Sequence, residues 1–203
     1  VINAYTASTK SFANAYATVR KAVTDGEPAG HIALSGTQQP NSYNGCDWYR
    51  LDQTIDDFLA YTGGGQLDLH RSFAKPGAML GFWTGYGSSG IAVQNAIWTN
   101  AVHGFLYPNI FWMPSYLNPD LTYSKSARDM GEAFKELRFK GVGRLFRESE
   151  RLQDGIAIHF SMPSMHAASI SENSPEKGVR PKRNFVADRA GWIEVIKDLG
   201  MFF

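Results

Sequence analysis

The chain holds 203 residues, of which 43% are hydrophobic and 13% aromatic, so it can bury a substantial core as one large or two small domains. Twenty basic and nineteen acidic side chains nearly cancel, and no run of like charge could follow a phosphate backbone, which argues against a nucleic-acid partner. Cys46 is the only cysteine, which excludes an internal disulfide and a cysteine-rich zinc site but leaves the compartment open between cytoplasm and export.

The first elements in chain order are a helix and a short strand. Residues 9–24 repeat apolar side chains at helical spacing, at Phe12, Tyr16, Val19 and Val23. Residues 31–35 (HIALS) form a short apolar run, which predicts a buried strand. A loop rich in Gly, Pro and Asn follows, and it carries Gln38 and Gln39 at the exit of that strand.

Three further strand signals follow at 58–62, 78–87 and 109–113, separated by helical patterns. Asp47 is placed to cap the helix before the first of these strands, and Gly90 opens the helix before the last. Each strand is short and apolar and reaches Ser, Tyr, Trp or Thr before a loop that contains glycine. Such strands are typical of a parallel sheet that is covered on both faces and whose tips line a pocket.

The composition changes after Pro119. Residues 124–152 are rich in Lys, Arg and Glu on an amphipathic pattern, which predicts a surface helix or a helix pair, with a break at Gly141 and Gly143. Residues 155–164 predict a new buried strand. The closing helix is expected to present one apolar face, made of Phe185, Trp192, Val195, Ile196 and Leu199.

The order of GIAVQNAIWTNAVHGFLYPNIFWMPS, KELRFKGVGRLF, DGIAIHFSMPS and GWIEVIKDLGMFF resembles the back half of glycoside hydrolases of the family 42 β-galactosidase type. The resemblance implies an α/β fold: the back half of a (β/α)8 TIM barrel at 1–123, linker helices at 124–153, and the first βα unit of a flavodoxin-like trimerisation domain at 154–203. It also implies a homo-oligomer, with a trimer as the expected size.

The catalytic residues stay unassigned. Retaining glycosidases use two carboxylates about 5 to 5.5 Å apart. The resemblance places the acid/base ahead of Val1 and the nucleophile in the region of Phe82, Trp83 and Thr84, where no carboxylate stands. Asp47 and Asp68 are the nearest loop carboxylates, but Asp47 is better interpreted as a helix N-cap, and Asp68 as a solvated residue or a partner for Arg71.

Six residues are candidates for binding substrate. The resemblance implies that Tyr61 supports the nucleophile and that Trp112 forms the floor of the sugar-binding site. The alternative role of both residues is core packing. Trp83 and Tyr86 are likewise expected either to bind sugar or to pack in the core. Gln38 and Gln39 could hydrogen-bond sugar hydroxyls or be ordinary loop residues. The five histidines show no metal-ligand spacing and no glycine pattern completes a nucleotide fingerprint, so we expect neither a metal nor a cofactor.

Three functions from different classes are consistent with these patterns. The first is part of a glycoside hydrolase acting on β-linked galactosides or related polysaccharides. The second is a non-catalytic carbohydrate-binding or scaffold barrel that has lost its carboxylates, and the third is a doubly wound binding protein. The sequence contains no apolar run of about 18 residues and no leader, so we expect no membrane partner and no signal peptide. We also expect that the chain is truncated within its second domain.

Overall fold

A computed structural model describes residues 2–37, 46–61, 65–84, 89–107, 109–111, 113–172 and 185–203. The polypeptide divides into two compact units, each assembled from separate stretches of the chain. Unit 1 comprises residues 1–32, 39–55 and 152–203, and unit 2 comprises residues 33–38 and 56–151.

Unit 1 is helical in its described part. Its helices are α1 (Ile2–Gly26), α2 (Trp48–Asp52), α8 (Met162–Glu172) and α9 (Phe185–Asp198), and α1 packs against α2 and α8 while α8 also packs against α9. The buried side chains include Trp48, Leu51, Met165 and Ile193. The core of this unit is therefore formed where the helices meet.

Unit 2 is built on a parallel sheet. Its three main strands are β1 (Ala33–Thr37), β2 (Asp57–Ala60) and β3 (Met79–Thr84), and the three-residue β4 (Asn109–Phe111) pairs with β3 at the edge. The strand order follows the chain, β1-β2-β3-β4, and all neighbours are parallel. The helices of this unit are α3 (Gln66–Phe73), α4 (Ile91–Val102), α5 (Met113–Tyr116), α6 (Lys125–Phe139) and α7 (Val142–Glu148).

The core of unit 2 lies between the sheet and helices α4, α6 and α7. Phe82 of β3, Ile97 of α4 and Leu137 of α6 belong to one buried cluster. Trp98 packs against that cluster and meets Phe146 of α7 edge to face, with 6.4 Å between the ring centroids. The predicted break is confirmed at Gly141, which caps α7 with a φ of +77°, a left-handed conformation that glycine adopts readily, whereas Gly143 lies inside α7.

The predicted fold class is wrong. In a barrel segment, four successive βα units form one body with their helices ringed around one sheet. Here the strands found among the described residues make up about 9% of the chain, and the helices are divided between two units. The helix in the β1 to β2 connection, α2, belongs to unit 1, and the first element after β4 is the single turn of α5. The chain is a mixed helix and strand protein and not the back half of a TIM barrel.

The expected flavodoxin-like start is wrong for a related reason. Residues 151–161 form no strand, and α8 begins at Met162, inside the predicted strand. A buried strand needs neighbours for its backbone hydrogen bonds, and all four described strands of the chain lie in the sheet of unit 2. In α9 the predicted apolar face is also wrong, because Trp192 is 66% exposed whereas Ile193 is buried.

Candidate functional site

The carboxyl ends of the three main strands bring three side chains together. Ser35 lies near the end of β1, Tyr61 follows the last residue of β2, and Trp83 is the penultimate residue of β3. The strands are parallel neighbours, so these ends meet at one edge of the sheet. Open parallel sheets bind ligands at this edge.

Tyr61 and Trp83 form a nearly parallel aromatic pair. Their ring centroids lie 6.0 Å apart, and the ring planes differ by 18°. The indole Nε1–H of Trp83 donates a hydrogen bond of 2.9 Å to Oγ of Ser35. Both aromatic side chains are half-buried and Ser35 is exposed. The hydrogen bond fixes the direction of the indole plane, since an indole has only that one donor.

Gly36 shapes the backbone beside this pair. The pairing of β1 with β2 shifts between Ser35 and Thr37, and Gly36 has a φ of +71°. This is a bulge with glycine in the left-handed conformation, a device that bends a strand and re-aims its side chains. A β-carbon at Gly36 would lie 3.5 Å from Cε2 of Tyr61, so the space tolerates a methyl group and the backbone conformation is what requires glycine.

The structure therefore joins two of the six predicted substrate-binding residues, Tyr61 and Trp83. The other four candidates lie outside the described residues: Gln38, Gln39, Tyr86 and Trp112. Ser35 was not among the predicted site residues, although its position at the end of an apolar strand was the signal that could have found it.

Asp68 of α3 belongs to a buried cluster of charges. It is 2% exposed, and its Oδ1 lies 2.8 Å from Nδ1 of His103 and 3.1 Å from a guanidinium nitrogen of Arg71. Arg151 approaches the same oxygen at 3.5 Å. An ionised carboxylate only accepts hydrogen bonds, so Nδ1 of His103 carries the proton in this contact. The predicted pairing of Asp68 with Arg71 is confirmed, and the alternative of a solvated carboxylate is wrong.

Arg151 shows how the cluster depends on Asp68. Burial and the like charge of Arg71 lower the pKa of Arg151, and the charge of Asp68 opposes both effects. Asp68 is thus the anion that allows two guanidinium groups to share a partly buried space.

Asp47 and His103 are capping residues of helices. Asp47 is the N-cap of α2 and accepts a hydrogen bond from the backbone N–H of Arg50, which confirms its predicted structural role. His103 is the C-cap of α4. Asp56, also buried, pairs with Lys75. These contacts give Asp47, Asp56 and Asp68 structural roles.

Two titratable groups of unit 1 have shifted pKa values: His166, which is buried, and Cys46, which is half-buried. Burial lowers the pKa of His166, although the charge of Asp47 acts in the opposite direction. Neither ring nitrogen of His166 has a hydrogen-bond partner among the described residues, and its ring stacks on Tyr5 at 5.1 Å between centroids. Burial also raises the pKa of the Cys46 thiol to about 11, which keeps it protonated at neutral pH.

Within the described ranges, no three side chains of His, Cys, Asp or Glu converge in a way that could hold a metal ion. No helix of the described residues combines the length and the apolar character that a membrane span requires.

Comparison with protein-family models, with curated proteins and with solved structures finds no match for this chain. The resemblance to family 42 glycoside hydrolases therefore stays a prediction, as do β-galactoside hydrolysis and a trimeric assembly.

Proposed function

We propose that unit 2 binds carbohydrate at the carboxyl edge of its sheet, through Tyr61, Trp83 and Ser35. The observation that carries the proposal is the pair of nearly parallel, half-buried rings, whose centroids lie 6.0 Å apart. The 2.9 Å hydrogen bond from Trp83 to Ser35 fixes the orientation of the indole ring. Flat apolar faces of this kind suit the C–H faces of pyranose rings, and rigid aromatic side chains lose little entropy on binding.

Ser35 supplies the polar part of this site. Its hydroxyl oxygen accepts from Trp83 and keeps its own proton, so it can donate to one sugar hydroxyl. A neutral hydroxyl beside aromatic faces matches an uncharged ligand better than a phosphate or a carboxylate. The ligand class we propose is a β-linked galactoside or a related polysaccharide.

Binding is favoured over hydrolysis by the roles of three of the four buried carboxylates in the described residues. Asp47, Asp56 and Asp68 cap a helix, pair with Lys75 and hold a cationic cluster respectively. A glycosidase needs two carboxylates that flank the scissile bond, one of them with a proton to give. Three acids held in structural contacts do not supply that arrangement, so binding without catalysis is the function we propose.

The test is isothermal titration of the protein with β-1,4-linked galactose oligosaccharides, on the wild type and on Tyr61→Ala, Tyr61→Phe and Trp83→Ala. One aromatic contact contributes about 0.5 to 1.5 kcal/mol, so each alanine variant should bind roughly 2- to 12-fold more weakly. Tyr61→Phe keeps the ring and should bind like the wild type.

The matched control is Trp192→Ala, which removes an exposed indole from unit 1. It should leave the affinity unchanged. Circular dichroism checks that each variant is folded. No measurable binding of any β-galactoside by the wild type, or equal affinities for Trp83→Ala and Trp192→Ala, would overturn the proposal. Release of nitrophenol from an aryl β-galactoside would show instead that the protein is a hydrolase.

A further inference from the structure

Apart from the aromatic pair, unit 2 contains a cavity. It is lined by β3, the segment before β4, and helices α4, α6 and α7. Its volume is about 590 Å³, which is within the range of small-molecule sites. The apolar part of its wall is contributed by Phe82, Ile97, Phe105, Phe134 and Leu137. Four of these five, all except Phe134, are buried members of the hydrophobic core of unit 2.

Three arginines also line this cavity. Arg138 lies in the last turn of α6, and Arg144 and Arg147 lie on α7. The two arginines of α7 share one carboxylate, Glu148, at 2.9 and 3.6 Å. Arg138 has no carboxylate within ion-pair distance in the described part of the chain, and its guanidinium lies 5.9 Å from the ring centroid of Phe139. The three guanidinium groups therefore outnumber the one carboxylate, Glu148, that pairs with two of them.

The combination of an apolar wall with an excess of guanidinium groups selects for one kind of ligand. The apolar wall favours a hydrocarbon body, whose burial is favourable in proportion to its length. A guanidinium group binds the oxygens of a carboxylate or a phosphate in a planar, two-pronged contact. A neutral ligand would leave the excess positive charge unmatched, and a cationic one would be repelled.

We propose that this cavity binds a single-chain amphiphile with an anionic head group, its hydrocarbon chain against Phe82, Phe105 and Phe134 and its head at Arg138. Arg144 and Arg147 add to the positive potential at the head group. This proposal is independent of carbohydrate binding, because none of these residues belongs to the aromatic pair or touches Ser35 in any contact described above.

The test is isothermal titration of the full chain with ligands that share a twelve-carbon chain and stay below their micelle concentration: dodecanoate, dodecyl phosphate, dodecanol and dodecyltrimethylammonium. The two anions should bind at least about 10-fold more tightly than the alcohol, since hydrogen bonds to charged groups are the strong ones. The cation should bind more weakly than the alcohol. Comparing the two anions distinguishes a fatty-acid from a phosphate head.

The length of the ligand's hydrocarbon chain provides a second measurement. Each buried methylene group should strengthen binding about fourfold, so dodecanoate should bind about 15-fold more tightly than decanoate. This series uses only the wild-type protein, so it needs no variant to fold. Equal affinities for decanoate and dodecanoate would show that the anion binds on the surface and would overturn the proposal.

The matched pair of variants is Arg138→Gln and Lys135→Gln. Both remove one positive charge from α6, but Lys135 is exposed and does not line the cavity. Arg138→Gln should weaken dodecanoate binding about 10-fold and leave dodecanol unchanged, whereas Lys135→Gln should change neither by more than about twofold. Equal effects of the two substitutions on dodecanoate would overturn the proposal. The same holds if dodecanol binds as tightly as dodecanoate, which is the result expected of a cavity that takes an apolar side chain of another polypeptide.

Discussion

Replacing Asp68 by Asn tests whether the buried charge cluster holds unit 2 together. The substitution keeps the shape of the side chain and removes the negative charge that Arg71, Arg151 and His103 share. Arg71 and Arg151 would then face each other as like charges in a space where each is only about one-fifth exposed. Removing one partner of a buried ion pair in this way is strongly destabilising.

The structure sets the magnitude near the lower end of the usual range. Loss of a fully buried partner costs about 3 to 5 kcal/mol, and both guanidinium groups here keep some contact with water, so we expect about 3 kcal/mol. Because 1.36 kcal/mol corresponds to a factor of ten, amides that exchange only when unit 2 unfolds should exchange about 150-fold faster. The slowest amides of β2 and β3 are the ones to follow.

The assay is hydrogen exchange followed by mass spectrometry, which separates unit 2 from unit 1 peptide by peptide. Glu132→Gln is the control, because it removes one negative charge from α6 at a site that is 68% exposed and 3.9 Å from Lys135. Exposed pairs contribute little, so its exchange should change less than about threefold. A change below about fivefold for Asp68→Asn, or one equal to that of the control, would refute the reasoning, since about 1 kcal/mol is within reach of any ordinary substitution.

Two further predictions concern local contacts. Ser124 is the N-cap of α6, and its Oγ accepts a 3.2 Å hydrogen bond from the backbone N–H of Ala127. Ser124→Ala removes this cap and should lower the free energy of unfolding, measured in urea, by about 1 kcal/mol. A loss below about 0.3 kcal/mol would contradict the assigned cap. For His166, burial lowers the folded-state pKa, so the unfolded chain takes up a proton first as the pH falls below about 6.5 and stability declines from there downward. Replacing His166 by Phe should make that decline shallower between pH 7.5 and pH 5, and an unchanged slope would argue against a buried neutral imidazole.

Local patterns in the sequence determined most of the elements. The alternation of short apolar runs with glycine loops placed strands at β1, β2, β3 and β4, because buried strands are recognisable from a few consecutive residues. Cap residues likewise fixed the start of α2 at Asp47 and the break before α7 at Gly141. The helical patterns were less exact. On α1 the predicted apolar face included Val19, which is 54% exposed, while Ala13 is the buried residue.

The site followed from the sequence only in part. The rule that strand ends carry chemistry singled out Tyr61 and Trp83, because each follows or closes a short apolar strand. It could not show that Ser35 would accept the indole hydrogen bond, which depends on the register of β1 against β2 and on the bulge at Gly36. In the cluster around Asp68, the sequence predicted the pairing with Arg71 but not the contact with Arg151, since Arg151 is far from Asp68 in sequence.

The sequence by itself determined where strands and helices form, because those depend on side chains a few positions apart. Only the tertiary structure decided which helices share a core with the sheet. The segment 155–164 has the composition of a buried strand, yet residues 155–161 form none, because a strand exists only where a neighbour can take its backbone hydrogen bonds. The arginines of α6 and α7 show the same principle. The sequence pattern predicts that they lie on a solvated surface. The packing of the two helices instead places them on the wall of an apolar cavity.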